Sequence, residues 1–465
     1  MNRTFDVRIH GFIDCLTVVG NEAWFAGHVT QSNEDFRVGG IRGFRVVDNG
    51  EGEDDPPDQI AHSTLLPLSD PLVETAQDWC DKTPENRRLL DIEQGNIQVS
   101  SQSAASKRLV GPASVEGQIG PGSLYRLEIP ADWNGDLAVY AHGARNVASS
   151  IFLGPNTPLQ TLLLEKGFGI AHSSFSENGY NIGDAAIRTR QLLGLFNSTF
   201  GRPRNTYIHG LSMGGLRALL LVERNPQLFD GAMSVCGMVG GASFSRDQVL
   251  NTQVLFDYFY PDVLGGSPIQ PEPWLESVEI DVLIALGGGL DRARQIAAVD
   301  QVSIEYDNES ELINTIMRRL RSNANSFSDL FDRQHGHNGF DNTTTDYFGS
   351  VEDGALNDGV ARFSADPDAV QVRLRWYEPD GNLELPFITL HTTRDPVVPA
   401  LHVAIYAEKV EAAGKAHLLA QRFIDGYGHC RVEGNPDRQH LAANEAMAVF
   451  EELVEWVRTG TKPEE

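Results

Sequence analysis

The chain has 465 residues, 41% of them hydrophobic and 22% charged, an ordinary globular composition that leaves room for two or three folding units and gives no reason to expect long disorder. Lys plus Arg number 37 against 64 for Asp plus Glu, so a formal charge of -27 repels anions and argues against nucleic acid and anionic membrane surfaces as partners. No window approaches the roughly 20 uninterrupted apolar residues of a membrane span, and the opening "MNRTFDVRIHG" lacks a basic-then-apolar signal pattern, which a mature exported chain would lack too.

The first hundred residues carry short apolar and β-branched runs, "FDVRIHGFIDCLTVVGNEAWFAGHVT" and "GGIRGFRVVDNG", broken by Gly-Asn, Gly-Gly and Asn-Gly turn signals. They predict a small antiparallel β domain over residues 1–105, with a solvated acidic loop "NGEGEDDPPDQ" and a linker "SSQSAASKRL" at 100–109. From "LYRLEIP" onward strands alternate with amphipathic stretches: "DLAVYAHG", "PLQTLLLEKG", "FGIAHSSF", "GDAAIRTRQLLGLFNSTFG", "NTYIHG", "GGLRALLLVERNP", "DGAMSVCG". Near-continuous apolar strands separated by helices are the pattern of a parallel sheet covered on both faces, so 106–241 reads as the first part of an α/β domain. The rhythm then loosens into helical and polar stretches over 242–380, and resumes over 381–465 with "LPFITLHTTRD", "HLLAQRFIDGYGH" and a closing helix.

Gly210-Leu211-Ser212-Met213-Gly214 is a G-x-S-x-G pentapeptide between a strand and a helix, the context in which a strained turn lifts a serine Oγ above a sheet. A serine needs a base and the base an orienting carboxylate, expected in the order Ser, Asp, His at the ends of later strands. Asp395 in "RDPVVP" and His429 in "DGYGHC" follow successive strand runs, separated by one helix and one strand. Asp425 is the competing acid but shares a loop with His429. His391, His402 and His440 fall within strand or helix patterns, and His209 beside the elbow points away by strand alternation. For the oxyanion, the Met213 N–H is one expected donor and the Ala144 N–H, in "VYAHGAR" where Gly143 permits the turn, the other.

Together "GLSMGG", "HTTRDPVVP", "GYGHC" and "YAHGAR" resemble the α/β-hydrolase superfamily, particularly secreted bacterial serine esterases with a long lid, over roughly residues 110–460. The resemblance implies a mostly parallel eight-stranded sheet with helices on both faces and a helical lid inserted before the strand that bears Asp395. Tannase and feruloyl-esterase-like enzymes are similar in the "GHC" ending, and prolyl-oligopeptidase-like hydrolases share the fold. In the tannase pattern a cysteine also precedes the serine; here that position is Leu211, so the phenolic-ester reading weakens and Cys236 becomes the expected partner of Cys430. Cys15 with Cys80 is the other expected pair, one of three possible pairings, with free buried thiols as the plainer alternative. Paired cysteines would place the protein outside the cell or in the periplasm.

The 183-residue run from Ser212 to Asp395 far exceeds the roughly 60 needed for two helices and two strands with short loops. In this surplus "FDYFYPDV" and Trp274 are expected either to wall the site or to fill the lid's own core. His335, His337, Asp341 and Asp346 are of ligand type, but their spacing matches no strong motif and no metal is assigned. The expected activity is hydrolysis of a small-molecule or polymeric carboxylic ester without a cofactor. Alternatives are a peptidase or amidase using the same triad, and a non-catalytic binding protein on the hydrolase fold.

Overall fold

A computed structural model describes residues 9–32, 41–49, 57–62, 79–81, 83, 89–91, 111–430 and 438–464. Most of the acidic loop (50–56) and the linker at 100–109 lie outside the described residues. The chain divides into two compact units, 1–107 and 108–465.

The first unit is an antiparallel sheet of β1 (Ile9–Val19), β2 (Glu22–Ser32), β3 (Ile41–Val47), β4 (Gln59–His62) and β5 (Leu90–Asp91), paired in chain order. Trp24, Ala26, Trp79 and Cys80 pack beneath it. The indole of Trp79 donates to the Phe44 carbonyl (3.0 Å), and Cys15 and Cys80 form the expected disulfide. A small sheet buries too little apolar surface to be secure alone, and a cross-link that shortens the unfolded chain compensates.

The second unit is built on eight strands: β6 (Ala113–Ile119), β7 (Ser123–Ile129), β8 (Leu137–Ala141), β9 (Gly169–Ser173), β10 (Thr206–Leu211), β11 (Gly231–Val235) and, beyond a short β12–β13 hairpin (Gly266–Ser267, Gln270–Pro271), β14 (Phe387–Arg394) and β15 (Leu419–Tyr427). Their order across the sheet is β15-β14-β11-β10-β8-β9-β7-β6, with β6, β7 and β9 joined by antiparallel pairings and the other neighbours parallel. This is the α/β-hydrolase sheet, as the resemblance implied.

Alternation along each strand sends successive side chains to opposite faces. Val139, Ile208, Ala232 and Phe387 meet α2 (Ile182–Phe200), α3 (Met213–Arg224) and α11 (Leu401–Ala412), through residues such as Phe196, Leu219 and Val403. Ala138, Tyr207, Met233 and Ile388 meet α1 (Pro158–Glu165) and α12 (Arg438–Thr459) through Leu163, Phe450 and Leu453. Both faces are covered, which is why these strands read as apolar runs rather than as alternating ones.

Between β11 and β14 lie α4 (Ala242–Phe259), α5 (Glu276–Gly287), α6 (Leu290–Val299), α7 (Glu309–Ser322), α8 (Ser328–Arg333), α9 (Asp353–Gly359) and α10 (Pro367–Tyr377). This insertion, the expected cap, has its own apolar core, in which Phe256 and Tyr260 stack at 4.9 Å beside Val282, Ile296, Leu312 and Phe340. The aromatic run "FDYFYPDV" is therefore mainly cap interior, and Trp274 is half-buried with its indole donating to Glu279 (3.1 Å). Among the described residues no helix is long and apolar enough to cross a membrane.

Candidate active site

β10 ends at Leu211 and α3 begins at Met213, so Ser212 alone makes the turn, at φ 58° and ψ -127°. Such a conformation is costly for a residue with a Cβ and persists only where the surroundings over-determine it. Here they do. A Cβ on Gly210 would lie 2.1 Å from the Gly214 carbonyl oxygen, and one on Gly214 would lie 2.0 Å from that of Ala141. The Ser212 N–H donates to Val235 (3.0 Å), and its carbonyl accepts from Gly215 (2.9 Å). The Met213 amide opens a helix, where backbone N–H groups lack intrahelical partners and carry the positive end of the helix dipole.

Asp395 follows β14 and its carboxylate is fully buried. Oδ1 accepts from the N–H groups of Val397 (2.8 Å) and Val398 (2.9 Å), and Oδ2 lies 2.7 Å from Nδ1 of His429. His429 follows β15, and 19% of its side chain is exposed. Burial by itself pushes its imidazole down, but the Asp395 charge and hydrogen bond outweigh this and hold it above the ordinary histidine value. Asp425 plays no part: its carboxylate accepts from Thr393 on the exposed side of the strand.

The loop after β8 reaches the elbow. Gly143 stands so near that a Cβ there would meet the Leu211 oxygen at 3.2 Å and the Ser212 Cβ at 3.5 Å, and Ala144 follows it at the surface. The expected site residues Ser212, Met213, Gly143 and Ala144 thus cluster at the ends of β8 and β10, while Asp395 and His429 meet at the ends of β14 and β15.

The expected Cys236–Cys430 disulfide is a correction: both are free thiols. Each sulfur has other company. Cys430 Sγ donates to the Val235 carbonyl (3.5 Å) and lies 3.9 Å from Nε2 of His429, and Cys236 Sγ is 3.9 Å from the Thr392 hydroxyl. Burial pushes the Cys430 thiol well up, which keeps it protonated.

His209 is wholly buried with no partner for either ring nitrogen, and desolvation lowers it to about 3, so it is a neutral packed ring. His402 accepts from the Gly240 N–H (3.1 Å). His440 lies on α12, at a position whose side chain is outside the described residues. His337 pairs with Asp366 (2.9 Å), and Asp341 accepts from Thr343. Among the described residues no group of three or more His, Cys, Asp or Glu side chains is arranged to hold a metal.

Two neighbours of the site escaped the sequence reading. His391, read as a strand residue, donates to the Val398 carbonyl (2.7 Å) and stands 3.8 Å from Asp395 Oδ2, bracing the acid loop. Arg217, inside the otherwise apolar "GLRALLLVER", is buried directly behind the loop after β8, where it donates to the His142 carbonyl (2.6 Å). A charged residue on the inward face of a helix was the available signal.

Residues 185–305, from α2 through the elbow into the cap, match the Esterase family, described as "Putative esterase". No curated protein sequence matches the chain. Among solved structures, similarity is found to the Pyrococcus horikoshii acylaminoacyl peptidase (12% identity, TM-score 0.38, 95% of this chain and 56% of that one). The chain therefore spans little more than half of that peptidase. It is also similar to Est1E from Butyrivibrio proteoclasticus (10%, TM-score 0.36, 74% and 99%) and feruloyl esterase B from Aspergillus oryzae (13%, TM-score 0.39, 75% and 81%). The family match supports a carboxylic ester hydrolase.

Proposed function

We propose that the chain is a serine esterase in which Ser212 Oγ attacks an ester carbonyl while His429 takes its proton. His429 then returns that proton to the leaving alcohol, and Asp395 holds the imidazole in orientation throughout. The oxyanion formed on attack lies against the N–H groups of Met213 and Ala144, with Gly143 allowing the loop its close approach. Water, deprotonated by His429, releases the acid from the acyl-enzyme.

The observation that carries this reading is the 2.7 Å contact between His429 Nδ1 and the buried carboxylate of Asp395. A carboxylate that only neutralised a surface imidazole would not be fully buried and held by two backbone N–H groups.

The substrate is an ester, small or polymeric, whose apolar part lies along the loop beyond Ala144, where Val147 (46%) and Phe152 (48%) are exposed. The Cys15–Cys80 disulfide supports an exported protein, in the periplasm or outside the cell. The test is a chain-length series of p-nitrophenyl esters on the wild type and Ser212→Ala. Turnover by the wild type, reduced by about 10⁴-fold or more in the variant, is expected. Full activity in the variant overturns the assignment, and amide turnover without ester turnover makes the protein a peptidase.

A further inference from the structure

Arg217 is 1% exposed, and among the described residues no carboxylate pairs with it. Taking a guanidinium out of water is expensive, and here the compensation comes from backbone. One terminal nitrogen donates to the carbonyls of His142 (2.6 Å) and Gly143 (3.2 Å), the other to the carbonyl of Gly179 (2.8 Å) and the Asn181 side chain. The Phe175 ring lies across it at 5.2 Å and also stacks on the His142 ring at 4.5 Å. Desolvation lowers the guanidinium to about 9, so it remains a cation at neutral pH.

A peptide unit is planar and trans, so its C=O and the following N–H point in opposite directions. Drawing the His142 and Gly143 oxygens inward to one cation therefore turns the N–H groups of Gly143 and Ala144 outward. Gly143 packs against Ser212, so outward is the side of the nucleophile. Without the cation the His142 carbonyl would lose its buried donor and the Gly143 carbonyl would keep only the His142 imidazole, whose Nδ1 lies 2.7 Å from it, so the peptide plane between His142 and Gly143 could turn to seek water.

We infer that Arg217 is a positioning residue that orients the oxyanion-binding amides: it holds the carbonyls of His142 and Gly143 from behind and so aims the Gly143 and Ala144 N–H groups at the site above Ser212. The inference rests on the esterase reading. The cation never touches substrate, and it acts through two peptide planes. Because it sits on α3, the helix that begins at the nucleophile, it also keeps elbow and oxyanion loop in mutual register.

The experiment uses the whole chain with Arg217→Met, Arg217→Lys and Asn181→Ala. Arg217→Met is expected to lower kcat by about 10²-fold with little change in KM, the size of losing one oxyanion donor. Arg217→Lys recovers part of the loss, because one ammonium still reaches the His142 and Gly143 carbonyls. Asn181→Ala, which removes a partner from the far side of the cation, leaves kcat near wild type. The readout specific to orientation is the adduct of Ser212 with a trifluoromethyl ketone carrying ¹³C at the carbonyl. Its oxyanion should take up a proton at higher pH in Arg217→Met than in the wild type. An unchanged adduct titration, or a loss carried wholly by KM, overturns the inference. Should Arg217→Met not fold, Arg217→Lys decides by the same two readouts, since its oxyanion must also titrate above the wild type's. A wild type that forms no adduct, with Ser212→Ala still active, instead overturns the esterase reading and says nothing of Arg217.

Discussion

Around Ser212 the chain is held by backbone packed against backbone, whereas around His429 it is held by side chains reaching in from other elements. At the elbow, Gly210, Gly214 and Gly215 leave no room for a Cβ, and the neighbouring oxygens of Gly214 and Ala141 define the turn. At the base loop, the Thr392 hydroxyl donates to the Gly428 carbonyl (2.6 Å), and the Gly428 N–H donates to Arg394 (3.1 Å). Tyr427, two residues before His429, shares a hydroxyl contact with Thr315 of the cap (3.1 Å), and Arg394 pairs with Glu305 (3.2 Å). Ser212 is thus positioned by close backbone contacts, within the turn and to β8 and β11. The loop that carries His429 is positioned by tertiary contacts, some of them from the helices inserted between β11 and β14.

The largest expected effect separates the two sides by chemistry. Asp395→Asn keeps the loop's backbone but removes the charge that orients the imidazole and holds it above its ordinary value of 6.5, and should lower kcat by about 10⁴-fold. In the wild type the acid limb of kcat/KM lies above pH 6.5, because activity is lost as pH falls through the raised His429 value. In the variant, burial alone remains and the limb of the residual activity moves to lower pH. Linkage gives a matching sign for stability. A group whose folded value is raised stabilises the fold at pH below its unfolded value, and that contribution fades as pH rises through the folded value. Urea melts at pH 5.5 and pH 9 should therefore show the variant losing more stability at the acid end. A limb that stays in place would mean that Asp395 does not govern His429.

Gly214→Ala tests the backbone side. Its Cβ would meet the Ala141 oxygen at 2.0 Å and the His142 oxygen at 2.8 Å, neither of which can yield without moving the oxyanion loop. A loss of at least about 3 kcal/mol by urea denaturation is expected, with activity falling further than stability accounts for. A variant as stable as the wild type would mean that the elbow is less tightly determined than the glycine contacts imply.

Tyr427→Phe gives the smallest effect and probes the side-chain side. It strips one hydroxyl from Thr315 and from the Glu311 carbonyl while keeping the ring in the cap's apolar core. About 1 kcal/mol of stability should be lost by urea denaturation, with a modest fall in kcat. If kcat is untouched, the cap does not hold the base loop through this contact.

Much of this site is written in local pattern. The pentapeptide around Ser212 carries its own reason, since only glycine tolerates the contacts that the turn demands, and a strand before with a helix after are visible as apolar periods. Asp395 and His429 are legible because strand ends can be counted. Arg217 was not, because a single charge in an apolar helix reveals burial only once its partners, 36 to 75 residues away, are in place.

Alternation and glycine placement by themselves determined the doubly covered sheet and the strand-to-helix turn at Ser212, because each depends on neighbours within a few residues. Tertiary structure alone decided that Cys236 and Cys430 stay as two thiols, that the aromatic run of the insertion fills the insertion's own core, and that a buried cation stands behind the loop after β8. These depend on which atoms of distant segments meet, and at what angle, which no local period encodes.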